Sequence, residues 1–170
     1  NPSGALTPSA SVAIKAHKPS KNYPARVITS HIGSAQEKLA SHLIAIINPL
    51  LRNSPYIFKN SAEFVKKMRE IKLRPGSKQF SYNAEALFPS VPIGDCIKLI
   101  QDKLANDPSR KNRTHLNPQD IANLLTLYLE TTDFTFNDRH HTTNDSGPIG
   151  LSLMVVVSNL WMDHTITTAI

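Results

Sequence analysis

Cysteine, acid and long apolar runs are what this chain has little of. Its 170 residues hold one cysteine, Cys96, which excludes an internal disulfide and a cysteine cluster for zinc. No apolar run approaches the roughly 18 residues of a membrane-spanning helix. The longest, Leu43–Ile47 and Leu153–Val157, are of core size, and the mean hydropathy of −0.25 also argues against a membrane partner. The opening N-P-S-G-A-L-T-P-S-A has neither the basic nor the apolar region of a signal peptide. An intracellular protein, nuclear or cytoplasmic, is the expectation. Acid is scarce beside base: 13 Asp and Glu against 19 Lys and Arg give a net charge of +6. That balance favours anionic partners, nucleic acid first. A first residue other than Met and an apolar last segment read as a piece of a longer chain.

What is present divides into short, well-punctuated segments. Residues 1–12, rich in Pro, Ser, Ala and Gly, read as disordered or linker. Residues 13–30 carry Lys15, Lys18, Lys21 and Arg26 on two extended pieces around a turn marked by Pro19 and Pro24. A basic β-hairpin of this kind can grip phosphate. Ser34-Ala35-Gln36-Glu37 reads as a capping box, followed by Leu39, Leu43, Ile46, Ile47 and Leu50 at helical spacing. Asn60 starts a second helix, with Phe64, Val65, Met68 and Ile71 as its buried face and Lys66, Lys67, Arg69 and Lys72 as its wet one.

Arg74-Pro75-Gly76-Ser77 is a turn. Phe80–Tyr82 then reads as a strand ending at Asn83, followed by a turn and a helix opened by Pro92. A strand that presents a polar side chain at its end, before a turn and helix, is a common active-site device. The helix after Pro92 buries Ile93, Ile97, Ile100 and Leu104, with Cys96 as a small core residue, and Asp107-Pro108 stops it. Residues 109–115 form a basic loop. Asn117-Pro118 caps a helix carrying Ile121, Leu124, Leu125 and Tyr128. Phe134–Phe136 and Arg139–Thr142 form a hairpin about Asn137-Asp138. A turn-rich loop, 145–150, leads to a buried helix over Leu151–Met162. The expected class is α+β, with helices packed on one side of a small antiparallel sheet.

Several of these segments, in order, resemble the fingers and first part of the palm of a retrotransposon reverse transcriptase, nearest the Penelope-like type. Ala16–Pro19 with Arg26-Val27-Ile28 and Gly33-Ser34 resembles the family's K-x-H-K-P…R-x-I…G-S. Asn48-Pro49-Leu50, then Lys59-Asn60-Ser61 before Phe64, resembles L-x-P-L…I-K-N-S…F. S-Y-N-A-E-A-L-F-P-S-V-P-I resembles S-F-D-V-V-S-L-F-T-N-V-P-I, and Phe134–Asn137 resembles F-x-F-N. Ile149-Gly150 with Leu153 and Asn159–Asp163 resembles M-G-S-P-L-S-P-V-L-A-N-L-Y-M-E. The likeness spans about residues 13–166 and implies a right-hand polymerase piece: fingers over 13–78, the start of the palm over 79–170.

The resemblance implies template-directed nucleotidyl transfer to a DNA 3′-hydroxyl, with an RNA/DNA template-primer and a deoxynucleotide as partners. Mg²⁺ is the cofactor expected for the family, held by carboxylates. Asn83 stands at the position of the first metal-binding Asp and offers only a neutral carbonyl. Glu85, two residues on, could share a face with Asn83 as a substitute ligand and is more simply a turn residue facing water. The later Asp pair is expected beyond Ile170. Adjacent His140 and His141 would point to opposite faces of a strand and cannot share a metal; Asp163-His164 does not replace the pair either. Lys15 and Arg26 match the cations that hold the triphosphate, Phe88 the aromatic beneath the incoming sugar, and Gly150 the glycine that lets backbone approach nucleotide and template. Ser146 and Leu151-Ser152 depart from the family's Gly and Ser-Pro. The chain by itself is therefore expected to be inactive. The alternatives are a non-catalytic nucleic-acid-binding remnant and a decaying element copy.

Overall fold

A computed structural model describes residues 6–16, 22–130, 133–142 and 149–169. The expected features at Lys18, Pro19, Lys21 and Ser146 lie outside the described residues. Within them the protein is α+β, with six α-helices and a four-stranded sheet.

The chain opens with β1 (Ser9–Ile14) and β2 (Ala25–Ser30), paired antiparallel from Ser9↔Ser30 to Ile14↔Ala25. Lys15 N–H extends the ladder by donating to Pro24 O at 3.1 Å. Residues 9–12, expected as disordered or linker, instead form most of β1. Far along the chain, β3 (Asp133–Phe136) and β4 (Arg139–Thr142) make the expected hairpin. Its loop residues Asn137 and Asp138 have φ of 48° and 58°, the left-handed pair of a type I′ turn, which Asn and Asp tolerate better than most residues. The two hairpins join in the order β2-β1-β3-β4, with β1 and β3 parallel. The sheet is therefore mixed, not antiparallel as expected. Thr135 N–H donates to Pro8 O at 2.8 Å at this seam.

The helices are α1 (Glu37–Ile47), α2 (Ser61–Glu70), α3 (Leu87–Ser90), α4 (Ile93–Ala105), α5 (Pro118–Glu130) and α6 (Ser152–Ala169). Two caps form as read from the sequence: Glu63 N–H donates to Asn60 Oδ1 and Asp120 N–H to Asn117 Oδ1, both at 2.9 Å. The box at Ser34 does not. Residues 32–36 turn first, so α1 starts at Glu37, whose carboxylate accepts from Gly33 N–H at 2.7 Å. The Ser34 hydroxyl is buried with no hydrogen-bond partner among the described residues.

The core is built mainly by helices, with Val91 and Leu151 added from the segments that flank them. Leu43 and Ile47 of α1, Ile100 and Leu104 of α4, Ile121 and Leu125 of α5, and Leu153 and Leu160 of α6 are fully buried together. Cys96 is among them, and burial pushes its thiol up to about 12. No strand side chain belongs to this core among the described residues. The helices therefore pack on one another rather than on the sheet, whose Val12, Ile14 and Val27 remain about half-exposed or more. Helix α2 departs further: Phe64, Val65, Met68 and Ile71, expected as its buried face, are all exposed. Its nearest partner is Phe58, edge-on to Phe64 at 5.2 Å and under Lys67 Nζ at 5.3 Å.

Candidate nucleotide-phosphate cleft

Two short contacts hold the sheet against the helical body and thereby create a cleft. Thr29 of β2 donates from its N–H to Ile149 O at 2.8 Å and from its hydroxyl to the same oxygen at 3.1 Å. Gly150 follows with φ +114°, and a Cβ there would lie 2.0 Å from Thr29 O. Only glycine lets the two backbones approach so closely. The expected role for Gly150 was approach to nucleotide and template; the backbone it meets is that of β2.

Beside this seam lies a cleft of about 580 Å³. One wall is the basic hairpin, with Lys15 and Arg26. The opposite wall is Ala84, Ala86, Leu87, Phe88 and Pro89, and Phe134, Thr142 and Ile149 complete it. Ala86 adopts φ +51°, and the chain reverses there into α3. Phe88 is half-buried: it packs against the helical core and also faces the cleft. It lines a shallow neighbouring depression as well, together with Gly150 and Leu151.

Lys15, Arg26 and Phe88, which the resemblance singles out, thus share one cavity, and Gly150 borders it. Asn83 does not line it. Phe80–Tyr82 is not a strand; the stretch from Ile71 to Ala84 is irregular apart from a turn at Pro75-Gly76. The physical reason is that these side chains find no partner strand and no core face. Asn83 is exposed, one residue before the cleft-lining Ala84.

The cleft lining contains two cations and no carboxylate. Among the described residues neither Lys15 nor Arg26 forms an ion pair. Both charges remain available to an anion, Arg26 as a planar fork and Lys15 as a point charge. The basic segment 109–115 is different. Arg113 pairs with Asp107 and donates to Ser109 Oγ, and Arg110 donates to Leu116 O. Hydrogen bonds from Ser109 and Arg113 hold the Asp107 carboxyl below its usual range. Those arginines fasten a 3-10 turn and are not a free basic loop.

For Mg²⁺ the donor set does not fit. Asn83 presents a neutral amide, and no group of three or more His, Cys, Asp or Glu could hold a metal ion among the described residues. His141 stacks on Phe134, rings 5.4 Å apart and 18° from parallel, while His140, next along β4, faces the other way. Asp163 is buried: it accepts from Ser54 Oγ and lies 3.6 Å from Lys103 Nζ. It ties α6 to α4 and to the segment after α1.

One residue near the site had no sequence signal. His31 follows β2 and is buried against Tyr128, ring centroids 6.5 Å apart. Neither of its ring nitrogens has a hydrogen-bond partner among the described residues. Burial lowers its pKa, offset in part by nearby Gln36. Because the folded value lies below the unfolded one, neutral His31 contributes its full stability above about pH 6.5 and loses it as pH falls. Urea unfolding at about pH 7.5 and 5.5 is expected to show wild type losing up to about 1.4 kcal/mol per pH unit more than His31→Phe. Equal losses in the two proteins would mean that His31 is not held neutral.

Compared with known proteins, this chain matches no family model, no curated protein and no solved structure.

Proposed function

We propose that this chain is the fingers and first palm portion of a reverse transcriptase of the retrotransposon, Penelope-like type, and that on its own it binds nucleotide and nucleic-acid phosphate without completing the polymerase reaction. The observation that carries this reading is the convergence of Lys15, Arg26 and Phe88 on one cleft. The resemblance assigns those positions to the triphosphate and the sugar; Lys15 and Arg26 share one hairpin, and Phe88 comes to them from a distant segment of the sequence. The volume of about 580 Å³ falls in the range of small-ligand pockets. Cations on one wall and an aromatic ring on the other suit a nucleotide, whose phosphates need charge and whose sugar and base need apolar contact.

No catalytic step is assigned to these residues. Two-metal nucleotidyl transfer requires carboxylates on both ions, and the amide of Asn83 supplies no charge. Primer extension by this chain with Mg²⁺ is expected to give no incorporation; template-directed incorporation that is lost in Phe88→Ala would overturn the non-catalytic half of the reading.

Binding tests the other half. A fluorescent deoxynucleoside triphosphate should bind the chain, with an affinity that falls as salt rises. The pair Lys15→Ala and Arg26→Ala should weaken it roughly 10- to 100-fold, the scale of losing charge-assisted hydrogen bonds. Retained affinity in that double variant would remove the cleft as the phosphate site.

A further inference from the structure

Strand β2 is one edge of the sheet, and its outer side borders the cleft. In an antiparallel pair, alternate residues bond the partner strand while the others point away from it. Lys15 N–H donates to Pro24 O, so the even-numbered residues of β2 face β1. Thr29 N–H donates to Ile149 O instead, which places the odd-numbered residues on the outer side. Ala25 and Val27 therefore direct their N–H and C=O groups outward, and these have no backbone partner among the described residues. Ala25, Arg26 and Val27 all line the cleft. Successive side chains of a strand leave on opposite faces, so a cavity that touches three in a row lies along the strand's edge.

The two faces at this edge differ in chemistry. Arg26 pairs with Ala13, and Lys15, two residues along, shares its face. Val27 and its partner Val12 lie on the other face. There they line, with Phe134, Phe136 and His141, a hollow of about 170 Å³, which shares Val27 and Phe134 with the cleft. The opposite edge of the sheet offers no such contrast: β4 is four exposed residues, Arg-His-His-Thr, with no apolar side chain.

We propose that the outer edge of β2, from Ala25 to Val27, is a strand-addition site for an extended peptide in which acidic and apolar residues alternate. Free N–H and C=O groups spaced along a strand are satisfied together by another extended backbone. A strand added there sends its side chains alternately to the two faces. One set meets Lys15 and Arg26, which select acid; the other meets Val27 and the hollow, which select an apolar group. A second copy of β2 fits poorly, because edge-to-edge pairing would bring Arg26 near its own counterpart on one face, and like charges there repel. The site rests on the free edge and not on the triphosphate reading, and holds whether or not the cleft takes a nucleotide.

The test is fluorescence anisotropy on the whole chain with the labelled peptide Val-Glu-Val-Glu-Val-Glu. It is run beside Val-Lys-Val-Lys-Val-Lys and beside two forms of the first peptide, N-methylated at its valines or at its glutamates. Wild type should bind the glutamate peptide and not the lysine one. One methylated form should bind roughly 10-fold or more weaker, because its bonding edge is blocked, while the other keeps its affinity. In the saturated complex the Val27 amide should exchange with solvent roughly 10-fold or more slowly than in the free chain. Val27→Pro deletes an N–H that faces away from β1, a position where an edge strand accepts proline. It should weaken the glutamate peptide roughly 5-fold or more, with thermal unfolding run alongside to verify that the variant folds. Should it not fold, the methylated pair and the Val27 amide decide alone. Equal affinity for the two methylated forms overturns the proposal, as does a Val27 amide left unprotected at saturation. Tighter binding of the lysine peptide overturns it too, and so does a free chain that sediments as a dimer with Val27 already protected, which would assign the edge to a second copy.

Discussion

Gly150→Ala is expected to lower the unfolding free energy by about 3 kcal/mol or more, through two costs that add. An L-residue at φ +114° sits in a region its side chain disfavours. The new Cβ would also meet Thr29 O at 2.0 Å, and that neighbour is backbone, which cannot rotate away as a flexible side chain can. Relief requires β2 and the start of α6 to separate, which breaks both hydrogen bonds from Thr29 to Ile149 O. Both residues so joined line the cleft. The variant should therefore lose triphosphate affinity as well as stability, and the Thr29 amide should exchange with solvent faster than in wild type. Urea unfolding and hydrogen exchange check this. A stability within about 1 kcal/mol of wild type would mean that the seam is not where the sheet docks.

That seam also shows where sequence reading stops. The hydrogen bond from the Thr29 hydroxyl to Ile149 spans 120 residues, and nothing at either end announces the other. Features written locally were legible. The Asn60 and Asn117 caps and the Asn137-Asp138 turn each depend on a few neighbouring residues, and each formed. Features that depend on a distant partner were not. Phe80–Tyr82 alternates like a strand, but alternation becomes a strand only when another edge supplies hydrogen bonds. Residues 9–12 look like linker by composition, yet pairing with β2 and a parallel seam to β3 make them sheet. For the site, the resemblance carried by the sequence points to Lys15, Arg26 and Phe88 one by one. Their convergence, the exclusion of Asn83 from the lining, and buried His31 came only from tertiary placement.

Helices α1 and α2 give the sharpest contrast, because their sequences are patterned alike and their environments are not. Both carry apolar residues at helical spacing behind a polar or acidic first turn. In α1 the stripe is consumed by the core, and Leu43 is 0% exposed. In α2 the corresponding residues face solvent, with Val65 at 45%. Periodicity states that a helix has an apolar face; it does not state that a second surface exists to cover it. Leu43→Ala is expected to cost about 2–5 kcal/mol, the transfer free energy of the lost atoms plus the cavity they leave. Val65→Ala should stay within about 0.5 kcal/mol of wild type, because the removed methyls already contact water and alanine is the better helix former. The two variants should unfold in urea with the same slope and well-separated midpoints. Equal destabilisation would place α2 against the core, and the exposed stripe would have to be redrawn as a buried one.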